Sequence, residues 1–152
     1  MSGRSVFVID TTDLSRDARV EAIGVVLDLV SPGASTFECD VPLSNQDAWT
    51  PAAREAADVL CRGCAPRRGD IAGYRTTGVR QRSDDAVWQS FRNFAAYAFD
   101  ASVWDSSGRP LIELSDEATS FVASLTDEQA SLILERLSVP VVPLKQWRAS
   151  RR

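Results

Sequence analysis

The stretch from Phe99 to Thr126, FDASVWDSSGRPLIELSDEATSFVASLT, constrains the fold more than any other. Two short runs of β-branched and apolar residues flank DSSGRP, whose Gly108 and Pro110 are turn formers, so the segment reads as a hairpin. In ATSFVASL, Phe121, Ala123 and Leu125 alternate, the period of a half-buried strand, and this run extends the hairpin to a meander. Thr126-Asp-Glu-Gln129 then has the spacing of a capping box. Ala130, Ile133, Leu134 and Leu137 follow at helical spacing. Consecutive strands closed by a helix commit the chain to an antiparallel arrangement that needs a helical layer on one face.

The other segments supply that layer. SVFVID reads as a buried first strand ending at Asp10. A helix from about residue 15 to 30 follows, with Ala22, Val26, Leu29 and Val30 on one face and SPG at its end. STFECDVPL is a second strand. Thr50-Pro51 starts a helix whose stripe is Ala53, Ala56, Ala57 and Leu60, with Gly63 as a left-handed stop. Residues 65–82 are irregular, and DIAGYRTTG holds at most a short strand. Ser83 is the expected cap of a third helix, with Val87, Phe91, Phe94, Ala95 and Ala98 inward and Trp88 and Tyr97 beside them. The expectation is one α+β domain over residues 1–140: an antiparallel or mixed sheet of about four to six strands with three to four helices. Residues 141–152 are expected as an extended, basic, proline-punctuated tail exposing Trp147.

Composition narrows the chemistry. The 152 residues include no histidine, which removes imidazole acid–base catalysis, Ser-His-Asp and Cys-His nucleophiles and every His-ligated metal. GxxxxGK[ST] and GxGxxG are both missing, so no cofactor is expected. No apolar run approaches the ~18 residues of a membrane span, and the N-terminus lacks a signal-peptide pattern. Three cysteines, an odd number, argue against a secreted disulfide scaffold, and a cytoplasmic location is expected. Charge is uneven: residues 62–82 hold six arginines against one aspartate in a chain whose net charge is −4. Lys145, Arg148, Arg151 and Arg152 make the C-terminus basic. An acidic protein does not attract nucleic acid at long range, which disfavours DNA or RNA as a partner despite this loop, Tyr74 and Trp147.

The motif CRGC, Cys61 to Cys64, falls at the end of a helix, where the dipole opposes a thiolate, rather than at a start, where redox pairs sit. Structural thiols are the expected reading, with thiol redox regulation as an alternative. For zinc the best available set is Cys39, Cys61, Cys64 and a carboxylate such as Asp40, an uncommon combination without a second knuckle, so no metal is expected. Arg-Gly-Asp at 68–70 has no adhesive role outside a secreted context.

VFVIDTTDL, an apolar strand followed by an aspartate and small hydroxyl residues, resembles the opening of PIN-domain nucleases. The resemblance covers about ten residues and implies a carboxylate cluster on magnesium or manganese with Asp10 in the first position. It also implies a parallel sheet ending, from which the meander departs. Glu38, Asp100 and Asp105 are merely available as further ligands.

By elimination, the expected function is binding a protein partner through surface charge, in the manner of an inhibitor, immunity or antitoxin-like protein. Two faces are candidates: an acidic one from Asp100, Asp105, Glu113, Asp116 and Glu117, and a basic one from Arg67, Arg68, Arg75, Arg80 and Arg82. Trp147 is a further contact candidate on the tail.

Overall fold

A computed structural model describes residues 3–62, 64 and 73–151. Among them, eight strands form one sheet in which every ladder is antiparallel. Five are full strands: β1 (Ser5–Asp10), β2 (Thr36–Val41), β5 (Asp100–Trp104), β6 (Pro110–Ser115) and β7 (Ser120–Leu125). β3 (Arg75–Thr76), β4 (Arg80–Gln81) and β8 (Val141–Pro143) are short. The order is β3-β2-β5-β6-β7-β1-β8, with β4 also on β2. The expected α+β class and the meander stand. The strand count exceeds four to six because the two-residue strands and β8 carry no alternation long enough to read.

Alternation along each strand gives the sheet two unlike faces. Phe7, Ile9, Phe37, Cys39, Ala101, Val103, Leu114, Phe121 and Leu125 turn inward and join a single buried cluster with the helices. α1 (Arg16–Val30), α2 (Pro51–Cys61), α3 (Asp85–Phe94) and α4 (Asp127–Leu137) contribute their apolar stripes to it. α3 is central: Phe37 meets Phe91 and Trp88 with ring centroids 4.6 Å and 5.3 Å away. Phe94 packs edge-on against Trp49 at 5.0 Å. Each such ring, fully buried, contributes about 1.5–3 kcal/mol.

Helix starts are set by side-chain caps. Thr50 Oγ1 accepts from the Ala53 amide, with Pro51 in the first turn. The capping box is complete: Thr126 accepts from the Gln129 amide, and Gln129 Oε1 accepts from the Thr126 amide. Gln129 Nε2 also donates to the Leu29 carbonyl at 3.2 Å, tying α4 to α1. At α3 the cap is Asp84 rather than Ser83, because its carboxylate reaches the Val87 amide. Gly24 lets α3 approach α1, since a Cβ there would lie 2.8 Å from the Arg92 guanidinium that clamps Asp28 through two 2.9 Å bonds.

The C-terminal residues differ from the expected extended tail. Val141–Pro143 pairs with β1 as β8, and α5 (Leu144–Ser150) runs against β1. Trp147 is half-buried, with the Arg151 guanidinium 4.2 Å from its ring centroid. No helix among the described residues is long and apolar enough to cross a membrane.

Candidate functional site

The second face of the sheet is divided. α5 lies against β1, and Leu144 and Arg148 form a groove with Val6, Val122 and Glu113. The half made by β2, β5 and β6 carries carboxylates instead. Register places Glu38 opposite Ser102, and Ser102 opposite Glu113, so the three form a row across the strands. One step along, Asp40 lies beside Asp100. Thr76 of β3 pairs with Asp40. Glu38, Asp40, Asp100 and Ser102, with Tyr74, Thr76 and Trp104, line a groove of about 290 Å³. Among the described residues, none of Glu38, Asp40, Asp100 and Glu113 takes part in an ion pair.

Asp40 anchors this groove and is only 4% exposed. Its Oδ1 accepts from the Phe99 amide at 2.8 Å and the Asp100 amide at 3.3 Å, and its Oδ2 accepts from the Tyr74 hydroxyl at 3.0 Å. Burial pushes its carboxyl above the ordinary value, against the pull of these donors; the Asp100 charge adds to the rise. The Glu38 carboxylate accepts from Thr76 Oγ1 at 3.3 Å.

The structure separates the acidic residues expected to act together. Asp100 lines the acidic groove, while Glu113, on the same sheet face, borders the groove under α5. Asp105 sits in the hairpin turn, accepting from the Ser107 and Arg109 amides. Five residues of extended chain put it roughly 17 Å from Asp100. Asp116, Glu117 and Ala118 connect β6 to β7 with three successive left-handed residues, φ 50°, 58° and 57°. That conformation costs about 1–2 kcal/mol per residue. It is held by the Asp116 and Glu117 amides donating to the Phe99 and Ala98 carbonyls, and by Thr11, whose hydroxyl donates to the Ala118 carbonyl. Glu117 is spent in an ion pair with Arg16, whose guanidinium stands 5.1 Å from the Tyr97 ring centroid. The acidic face therefore excludes Asp105 and Glu117 and gains Glu38 and Asp40. The alternation of Glu38 and Asp40 in STFECDVPL carried that signal, because residues two apart on a strand share a face.

Arg67 and Arg68 lie outside the described residues, as does Gly63. Arg75 and Arg80 pair with Val41 and Phe37, so they turn to the helical side rather than to the groove. Arg82 is engaged by Ser31 and Asp85, and its guanidinium is 4.9 Å from the Trp88 ring centroid. Arg75, Arg80 and Arg82 do not form one surface with the carboxylates.

Asp10 ends β1 and is held by Thr12, whose hydroxyl and amide hydrogen bonds lower its pKa. Ser120 and Ser115 stand between it and Asp100 in the register. Three strand spacings make that gap roughly 14 Å, too wide for one cation to bridge. Among the described residues no group of three or more cysteines and carboxylates is placed to hold a metal ion. Cys39 is buried, and burial first, then Asp40 and the other thiols, push its pKa well up.

Comparison with protein-family models, curated proteins and solved structures finds no match to this chain.

Proposed function

We propose that this protein is a binding domain, of the inhibitor or immunity type, that takes a basic protein surface on the acidic half of its sheet. The observation that carries the reading is that Glu38, Asp100 and Glu113 turn to one sheet face, Glu38 and Glu113 in one cross-strand row with Ser102 and Asp100 one step along, none of them ion-paired among the described residues. Unneutralised carboxylates held on a rigid sheet repel one another, a cost that an incoming cationic surface relieves. Trp104 and Tyr74 at the groove wall supply the aromatic area that anchors protein contacts.

The test is capture of partners from the cells that make the protein, with two charge-reversed variants beside the wild type. Glu38→Lys with Asp100→Lys weakens binding of the captured protein at least tenfold, about 1.4 kcal/mol. Arg75→Glu with Arg80→Glu leaves it in place. A partner retained equally by both variants overturns the assignment to this face.

A further inference from the structure

Behind the acidic groove, on the helical side of β2, the three thiols gather at the end of α2. Cys39 is enclosed, whereas Cys61 and Cys64 are half-buried, and all three are free. The Cys64 amide donates to the Cys61 carbonyl at 3.1 Å, closing a four-residue turn. Such a turn holds its end Cα atoms within about 7 Å, and a disulfide spans about 4.4–6.8 Å. Among the described residues, two arginines attend the pair. Arg80 Nη1 lies 3.9 Å from Cys64 Sγ, and the positive charge of Arg75 is felt at Cys61. Partly exposed sulfur beside guanidinium groups is the setting of reactive cysteines, and these arginines counter the negative pole of the helix.

We propose that Cys61 and Cys64 form a reversible oxidation site at which a hydroperoxide closes a disulfide. Cys64 attacks first. Its sulfur bonds to the terminal peroxide oxygen, the O–O bond breaks, and the departing alkoxide takes the thiol proton to leave as an alcohol, or as water from hydrogen peroxide. Cys61 sulfur then displaces hydroxide from the Cys64 sulfenic acid, and its own proton completes a molecule of water. Two hydrogens and two electrons pass from the thiols to the peroxide. Arg80, beside Cys64 Sγ, is placed to hold the negative charge that gathers on the departing oxygen as the O–O bond breaks. Burial, reinforced by Cys64, raises the pKa of Cys61 and keeps it a thiol, so the first attack falls to Cys64, and Cys61 enters only when an electrophilic sulfur stands beside it within the same turn. Cys39, inside the core, takes no part. The site operates whatever the acidic face binds.

Trypsin reads the result directly, because Arg62 separates the two cysteines. Native protein treated with hydrogen peroxide loses two hydrogens in mass and regains them with dithiothreitol. Its unreduced digest contains the peptide 55–62 joined to 63–67. The linkage persists in Cys39→Ala, and in Cys61→Ser a sulfenic acid is trapped at Cys64 by dimedone. Full alkylation of both thiols after peroxide, a bridge to the Cys39 peptide, or gain of oxygen without a bridge overturns the proposal. The digest of the wild-type protein decides this even where a variant fails to fold.

Discussion

Removing the Asp40 carboxylate separates two roles that burial has combined. Asp40→Ala strands the Phe99 amide, bonded at 2.8 Å, and the Asp100 amide, bonded at 3.3 Å, and withdraws an acceptor from the Tyr74 hydroxyl. A fully buried donor left without a partner costs about 1–3 kcal/mol, and both of these bonds are part-buried, so each lies toward the weak end of that range. Against this, the substitution relieves the burial of a carboxylate whose ionisation the fold opposes. The balance is a loss of about 1–2 kcal/mol, or roughly 2–8 °C in Tm for a domain of this size. Asp40→Asn keeps Oδ1 for both amides and turns an NH2 toward Tyr74, so it costs less than about 1 kcal/mol at neutral pH.

The pH dependence has a definite sign. The folded protein binds this proton more tightly than the unfolded chain does. The wild type therefore loses stability as pH rises from about 3.8 through the folded value, then levels off. Asp40→Asn lacks that segment, so its stability relative to wild type improves over the same rise. Urea denaturation of the three proteins near pH 3.8 and at neutral pH measures both effects. An asparagine variant as damaged as the alanine one, or an undamaged alanine variant, refutes the acceptor account, and a gap between wild type and the asparagine variant that does not change with pH refutes the burial account.

Two further substitutions probe the helical layer. Gly24→Ala drives a methyl group into the Arg92 guanidinium, a flexible end that can move, while alanine favours the helix by about 0.5–1 kcal/mol. The net change in stability stays within about 1 kcal/mol, and a double-mutant cycle finds the Asp28–Arg92 coupling gone. Thr126→Ala removes the capping-box acceptor and costs about 1 kcal/mol, or roughly 3 °C in Tm by thermal melt, because the Gln129 amide loses its partner.

Legibility in the sequence followed the length of each pattern. The meander and the Thr126 cap were readable because several consecutive residues had to agree on one period. The α3 cap was displaced by one residue, since Ser83, Asp84 and Asp85 all suit a helix start and only the geometry of the Val87 amide chooses. β8 and α5 were hidden by Pro140 and Pro143, which signal an interruption but not that Val141 and Val142 between them lie along β1. For the candidate site, Asp100 and Glu113 were picked out by charge. Grouping them with Asp105 failed because clustering in sequence ignores the strand that carries Asp105 to the far end. Glu38 and Asp40 come from a strand 60 residues earlier in the chain, joined to Asp100 only by the order in which β2 and β5 pair.

The brevity of β8 also limits how these molecules can accumulate on one another. Pro140 and Pro143 bracket a run whose remaining amides, on Val141 and Val142, point in opposite directions along the pleat. One of them faces β1, so at most one hydrogen is left to greet an incoming backbone. A second chain arriving at that margin cannot be zipped on, and crowding does not recruit it into a growing fibril from this side.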